Sequence, residues 1–142
     1  MKTSILVPID FSDTSTNALS YAMHLFEPAS LEVTLLHVYG IRSTTLILKN
    51  IDGVLEESSR SMMDELLENY QLAYPGVTCN SIILKDDTVP AIGAQGDSGN
   101  YDFIVMGTKG ASGLKEVFLG SVAGGVISKS ATPVIVVPGG HR

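Results

Sequence analysis

The sequence DFIVMGTKGASGLKEVFLGSV, from Asp102 to Val122, decides the interpretation of the chain. It contains an apolar run at 103–106, glycines at 107, 110 and 113, and Gly120-Ser121 at the start of a further apolar-periodic stretch. Glycine has no β-carbon, so a loop of this kind lets an anion approach the backbone N–H groups closely. A helix that begins near Gly120 would direct its N-terminal donors and its dipole at the same point. The order of strand, glycine loop and helix start therefore predicts a phosphate cradle, to which Ser121 adds a hydroxyl donor.

The spacing of this stretch is Gly107-x2-Gly110-x9-Gly120-Ser121. An alternative explanation is a loop that needs its glycines only for turns and for the end of a helix. The spacing alone leaves both explanations open.

Composition and charge narrow the class of protein. The chain has 142 residues, enough for one domain, which we expect to cover 1–142. Nine Lys and Arg residues stand against fifteen Asp and Glu residues, a net charge of −6. Nucleic-acid binding depends on clustered positive charge, so this balance argues against it. The 44% hydrophobic content indicates a covered parallel sheet or a buried subunit interface.

Targeting signals and cysteines suggest a location. The N-terminal apolar run is too short for a signal peptide, and no run reaches the length of a membrane span. Cys79 is the only cysteine, so an internal disulfide is impossible and a reducing compartment is expected. We therefore expect a cytoplasmic protein without a membrane partner.

Apolar runs and helical periods alternate along the chain. Strands are predicted at Thr3–Ile9, Leu31–Val38, Val77–Leu84, Asp102–Gly107 and Val134–Val137. Helices are predicted at Thr14–Phe26 with a cap at Ser12 or Asp13, from Leu55 to Ala73, as a short or ragged helix within Asp86–Asn100, and at Gly120–Ser130. The pattern also predicts a long loop over Tyr39–Val54 and a disordered tail from Gly139 to Arg142.

Two of these helices carry expectations of their own. Leu55, Met62, Leu66, Tyr70 and Ala73 fall on one face of the second helix, which we expect to be buried. The third helix is interrupted by Pro90 and glycines, and Gly124-Gly125 should weaken the first turns of the fourth.

Alternating strands and helices predict an α/β fold, a single doubly wound five-stranded parallel sheet with helices on both faces. If the strand order is 3-2-1-4-5, it reverses between the first and fourth strands. Ligands of such sheets bind outside the carboxyl ends of the strands at that reversal. The expected crevice therefore lies between Asp10 and Gly107, where the glycine loop also begins.

Together these segments resemble the universal stress proteins, in their ATP-binding branch. The resemblance spans nearly the whole chain and rests on VPIDFS at the first strand, LLHV at the second, IVMGTKGASGLKEVFLGSV with its glycine spacing, and SATPVIVVP at the end. It implies a fold of the adenine-nucleotide alpha-hydrolase type. Gly124-Gly125 and the broken third helix depart from the family pattern.

The resemblance also implies which residues bind ATP. Pro8, Ile9 and Asp10 would lie against the adenosine, and Val38 against the adenine. The remaining members would form the floor and the phosphate pocket: Met106, Gly107, Gly110, Gly120, Ser121 and Val122.

Asp10 and Lys109 each have a second explanation. A carboxylate suits ribose or adenine donors, but Asp10 could instead cap the helix that begins near Ser12. Lys109 could reach the terminal phosphates or remain a solvated surface lysine. A Mg²⁺ ion held through the phosphates is compatible with the sequence, which contains no carboxylate cluster for a dedicated metal site.

Other catalytic patterns are not found in the sequence. His24, His37 and His141 have no ligand spacing, and we interpret them as structural or surface residues. There is no G-x-x-x-x-G-K-(S/T) motif, no G-x-G-x-x-G after the first strand and no G-x-S-x-G.

Three functions remain. The first is a non-catalytic, nucleotide-dependent regulator in a stress response; the second is a slow ATPase or self-phosphorylating protein; the third is an interaction module without nucleotide. Efficient hydrolysis needs a positioned base and a charge clamp, which the sequence does not show, so the first is preferred. The apolar strand Val134, Ile135, Val136 and Val137 predicts a homodimer, as does the resemblance.

Overall fold

The computed structural model describes residues 2–40, 51–108 and 120–139, and for 51–54 it describes the backbone alone. Five parallel strands form one sheet in the order β3-β2-β1-β4-β5. The strands are β1 Thr3–Pro8, β2 Leu31–Tyr39, β3 Thr78–Lys85, β4 Phe103–Gly107 and β5 Val134–Val137. The helices are α1 Asp13–Ala22, α2 Ile51–Ala73, α3 Thr88–Gly96 and α4 Ser121–Lys129. The predicted fold class and strand order are confirmed.

The sheet is covered on both faces. The buried side chains of Ile5 and Val7 pack with α1 and α2 on one side, which we call the α1–α2 face. Leu6, between them, packs with α3 and α4 on the other side, the α3–α4 face. Successive side chains of a strand point to opposite faces, so a strand buried on both faces must be apolar at nearly every position. This explains the continuous apolar runs of β1 and β4.

The first helix is shorter than predicted. It ends at Ala22 instead of Phe26, and its chain then turns through bonds from His24 N to Tyr21 O and from Leu25 N to Ala22 O. The Phe26 ring stacks on the Phe103 ring, with 5.9 Å between their centroids. Packing of Phe26 against the sheet thus replaces another helical turn.

The predicted buried face of the second helix is confirmed at Leu66 and Tyr70 and wrong at Met62 and Ala73, and the helix starts earlier than predicted. It begins at Ile51, within the predicted Tyr39–Val54 loop, of which residues 41–50 lie outside the described residues. Met62 is 43% exposed, whereas its neighbour Met63 is fully buried; Ala73 is also exposed. The buried face instead includes a polar residue, Ser59, which an apolar count cannot find.

The glycines and Pro90 do not break α3 and α4. Pro90 is in the first turn of α3, where backbone N–H groups have no partner within the helix. A β-carbon on Gly125 would lie 3.0 Å from both γ-carbons of Val89, so this glycine lets α3 and α4 approach closely. The short α3 and the bounds of α4 agree with the prediction.

Within residues 2–40, 51–108 and 120–139, no helix has the length and apolar character needed to cross a membrane. The part of the predicted disordered tail from 140 to 142 lies outside this range.

Candidate functional site

The candidate site lies at the carboxyl edge of the sheet, where the strand order reverses. β1 and β4 are neighbours there, with Leu6 opposite Ile104 in the register. Pro8 and Met106 come two residues later on the two strands, so they lie near the same level of the edge. This places the predicted crevice between the end of β1 and the end of β4.

The base of the glycine loop is closed by a backbone hydrogen bond. The Gly120 N–H donates to the Thr108 carbonyl oxygen over 2.5 Å, and the Thr108 N–H donates to the Val137 carbonyl over 3.2 Å. The start of α4 is therefore fixed beside the end of β4. The predicted phosphate residues Lys109 and Gly110 lie outside the described residues.

The N-terminus of α4 presents backbone donors at this point. Gly120 is the N-cap residue, in an extended conformation, and no side chain of the described residues caps the helix. The first bond of the helix runs from Gly124 N to Gly120 O over 2.9 Å. The N–H groups of Ser121, Val122 and Ala123 precede that bond, so they have no partner within the helix. Such an end attracts anions.

An apolar surface adjoins these donors. Val38, Met106 and Val122 pack in one cluster on the α3–α4 face. Pro8 follows Val7 in β1, and the alternation of the strand turns it to this face too. The structure therefore brings together residues that the sequence assigned to the adenine and to the phosphates. An apolar floor beside N–H donors suits a ligand with a flat base and an anionic tail.

Ile9 is not brought together with the others. Its side chain is 3% exposed and packs on the α1–α2 face, away from Val38 and Met106. Its N–H donates to the Leu36 carbonyl over 2.7 Å, and its own carbonyl accepts a hydrogen bond from His37. Both backbone groups are thus occupied, and a contact of Ile9 with a ligand stays a prediction.

Asp10 supports a helix cap but is not the cap itself. One carboxylate oxygen, Oδ1, accepts from the Ser12 N–H at 3.0 Å and from the Ser12 hydroxyl. Ser12 is the N-cap of α1 and accepts from the Ser15 N–H at 3.3 Å. The other oxygen, Oδ2, receives no hydrogen bond from the described residues, and Asp10 is exposed. Asp10 can therefore serve the turn with one oxygen and accept from a ligand with the other.

Gly107 has a packing role. A β-carbon at this position would lie 2.5 Å from Thr14 Cγ2 and 3.1 Å from the Thr14 carbonyl oxygen. The first turn of α1 thus approaches β4 so closely that residue 107 must lack a side chain. Its place on the floor of a ligand site stays a prediction.

Sequence reasoning missed the connection between His37 and Phe11. The two rings are in contact, with 4.7 Å between their centroids, beside the turn that carries Asp10. The only signal was a polar residue at the end of the apolar strand LLHV. His24 is a structural residue as expected: its Nδ1 contacts the Ser20 carbonyl oxygen at 2.9 Å.

Other chemistry-bearing groups are separate from this edge. Among the residues that the structure describes, no three His, Cys, Asp or Glu side chains are grouped to hold a metal ion. A groove of about 360 Å³ lies between α2 and β3 and is lined by Asp64, Leu67, Glu68, Gln71, Leu72 and Cys79. Desolvation raises the pKa of the Cys79 thiol, which makes it less reactive.

Comparisons with known proteins identify the family of the chain and agree with its fold. Universal stress protein YxiE of Bacillus subtilis is 32% identical, over 96% of this chain and 99% of its own. Universal stress protein MJ0577 of Methanocaldococcus jannaschii is 31% identical, over 96% of this chain and 95% of its own. The solved structure of MJ0577 superposes with a TM-score of 0.78 and covers 100% of this chain and 99% of that one.

A more distant structure shows the same fold with a ligand. A universal stress protein family protein of Arabidopsis thaliana with AMP bound has a TM-score of 0.63 at 19% identity, covering 96% of this chain and 91% of that one. The model of the Universal stress protein family matches residues 1–138. With that match and two relatives above 30% identity, the chain belongs to the universal stress protein family.

Proposed function

We propose that this universal stress protein binds ATP at the carboxyl edge of its sheet and acts as a non-catalytic, nucleotide-dependent regulator in a stress response. The observation that carries the proposal is the bond between Gly120 and Thr108, because it holds the N-terminus of α4 beside the apolar floor. The AMP complex of the Arabidopsis relative supports an adenine nucleotide as the ligand class.

The two ends of the nucleotide would meet different groups. The N–H groups of Ser121 and Val122 would hold the phosphates, with the Ser121 hydroxyl and Lys109 as further donors. The adenine would lie on Val38 and Met106. A carboxylate repels phosphate, so Asp10 would accept from the ribose or adenine donors instead. Mg²⁺, where present, would be held mainly by the phosphates themselves.

A regulatory role is preferred to hydrolysis because of the position of the acidic group. Asp10, the carboxylate at the end of β1, is held by Ser12 at what would be the sugar end of the ligand. A base for hydrolysis must act beside the γ-phosphate, at the opposite end. Under this proposal bound ATP changes a surface that a partner recognises.

The proposal is tested by identifying the nucleotide that the purified protein releases on denaturation, by mass spectrometry. Wild type is compared with Gly110→Val in the predicted loop and with Gly93→Ala as the matched control. Gly93 is in α3, and a β-carbon there meets no atom within 4 Å. We expect ATP from the wild type and the control, and none from Gly110→Val.

Two results would count against the proposal. Release of ADP alone, with phosphate turnover that Gly110→Val abolishes, would favour the enzyme. If no sample releases nucleotide and Mg-ATP does not raise the melting temperature, the site does not bind; at about 100 times its Kd, ATP should stabilise the fold by about 2.7 kcal/mol.

A homodimer through β5 belongs to the same proposal. β5 lies at an edge of the sheet, and the side chains of Val134, Ile135 and Val136 are only partly buried. An apolar edge strand of this kind is usually paired or covered. A second copy of the chain, related by a two-fold axis, would cover the β5 edge of the first copy while the first copy covers the β5 edge of the second.

A further inference from the structure

His37 links the end of β2 to the turn that follows β1. Its Nδ1 lies 2.7 Å from the Ile9 carbonyl oxygen. A carbonyl oxygen can only accept, so Nδ1 carries the hydrogen in this contact. His37 shares the face of Val33 and Leu35, the α1–α2 face, whereas Val38 is on the α3–α4 face. A ligand on the Val38 side of the sheet would therefore not touch the imidazole.

The residue that follows Asp10 has an unusual backbone conformation. Phe11 has φ +64°, in the left-handed region that a bulky residue rarely adopts. Such a conformation persists only where its surroundings hold it in place. Here the Phe11 ring contacts the His37 ring at 4.7 Å, with an interplanar angle of 49°, and His37 also holds the carbonyl of Ile9. His37 thus contacts the turn on both sides of Asp10.

The direction of the Asp10 carboxylate depends on this turn. Its Oδ1 is fixed by Ser12, and its backbone N–H contacts Ser15 Oγ at 3.3 Å. Ser12 and Ser15 belong to the start of α1, so the carboxylate is held between α1 on one side and His37 on the other. A rotation at Phe11 would turn Oδ2 to another direction.

We infer that His37 is a positioning residue of the nucleotide site: through Ile9 and Phe11 it holds the turn in which Asp10 offers Oδ2 to the ribose hydroxyls. The inference rests on the proposed function and goes beyond it, because it assigns a role in sugar recognition to a residue that does not contact the sugar.

The test compares ATP with 2′,3′-dideoxy-ATP by calorimetry, in the wild type, His37→Leu and His37→Asn. The proposed hydrogen bond from a ribose hydroxyl to the charged Asp10 carboxylate should make the wild type bind ATP about tenfold more tightly than the dideoxy nucleotide, or more. His37→Leu removes the Nδ1 donor, and the ratio of the two dissociation constants should fall close to one. The amide nitrogen of asparagine occupies nearly the place of Nδ1, so His37→Asn should restore most of the preference.

A purely structural role for His37 would weaken the binding of both nucleotides by the same factor and leave their ratio unchanged. Asp10→Ala should also abolish the preference, and His37→Leu added to it should not change the ratio further. If His37→Leu shows no cooperative thermal transition, His37→Gln takes its place, since its amide lies one carbon further out and should lose the preference as well.

The outcomes separate the inference from the proposed function. If the wild type prefers ATP and His37→Leu keeps that preference in full, the inference is wrong and the proposed function stands. If the wild type binds both nucleotides equally, Asp10 does not read the ribose and the inference is wrong. If it binds neither, the proposed function and the inference both fail.

Discussion

Gly107 and Thr14 approach so closely that a β-carbon on residue 107 would overlap the Thr14 side chain, at 2.5 Å from Cγ2. The contact joins the end of β4 to the first turn of α1. That turn also contains Ser15 and follows Asp10 and Ser12, so one side of the candidate site is set by this packing.

Gly107→Ala should therefore destabilise the fold by about 1–3 kcal/mol, the usual cost of overpacking. Thr14 cannot readily move aside, because a β-branched side chain in a helix has few rotamers and its backbone oxygen lies 3.1 Å away. Urea unfolding, compared with the wild type, measures the change. Equal midpoints would show that α1 is not pressed against β4 as described.

Gly93 and Gly125 form a matched pair in α3 and α4. Gly93→Ala should stabilise the protein by about 0.5–1 kcal/mol, because alanine favours a helix and its β-carbon meets no atom within 4 Å. Gly125→Ala gains the same propensity, but its β-carbon would lie 3.0 Å from both γ-carbons of Val89. We expect Gly125→Ala to have a lower melting temperature than Gly93→Ala. An equal rise in melting temperature for the two variants would contradict close packing of α3 against α4.

Asp97, at the end of α3, accepts hydrogen bonds from the segment that leads into β5. Its Oδ1 accepts from the N–H groups of Ala131 at 3.0 Å and Thr132 at 3.2 Å, and from the hydroxyl of Ser130 at 3.3 Å. Asp97→Ala should destabilise the fold by about 1.5–2 kcal/mol, the lower part of the range for hydrogen bonds to charged groups, because Asp97 is exposed. Asp97→Asn keeps an acceptor oxygen and should cost less. Asp64→Ala, at an exposed position of α2, is the control in the same urea titration. If this control loses as much stability as Asp97→Ala, the hydrogen bonds of Asp97 do not stabilise the fold as described.

Cys79 should react slowly with a thiol reagent at neutral pH. Desolvation raises the pKa of this thiol, so less thiolate is present in the native protein than in the unfolded chain at any given pH. The reaction rate of the native protein should rise with a midpoint above that of the same protein in urea. The native state favours the protonated thiol. The contribution of Cys79 to the free energy of unfolding is therefore present below the unfolded pKa and is lost as pH rises through the raised native pKa. Equal midpoints in the two conditions would contradict the burial of the thiol.

Val136→Lys should convert the proposed homodimer to a monomer without unfolding it. The substitution places a charge on the edge strand β5, a position at which lysine discourages strand pairing. Asn80→Lys is the control, because exposed Asn80 belongs to β3 at the opposite edge. Sedimentation at micromolar concentration distinguishes the two. A dimer broken only by Asn80→Lys would place the interface at β3.

The sequence predicted the centre of the sheet well, because β1 and β4 are buried on both faces and their apolar runs are therefore continuous. The strand order was an assumption that the structure confirms, because the crossover rule fixes the handedness of a connection and not the order of the strands. The buried face of α2 could not be predicted in the same way. Met62 and Met63 are equally apolar, and the choice between them is made by β2 and β3, distant in sequence.

In the candidate site, too, some features could be predicted from the sequence and others could not. Val38, Met106 and Val122 were predicted through the family resemblance, and the structure brings them together. The occupied backbone groups of Ile9 and the contact of Phe11 with His37 do not follow, because they depend on how β1 ends beside β2. A positive φ at a phenylalanine has no signature in the residue type.

The bond between Gly120 and Thr108 joins the two sides of the glycine segment at its base. The sheet and α4 are thereby connected without reliance on residues 109–119 for that contact. Both partners in this bond are backbone groups, so a change of side chain at Thr108 leaves the connection between the sheet and α4 in place. A change at Gly107, by contrast, would be eliminated for its effect on the fold before its effect on any ligand could matter.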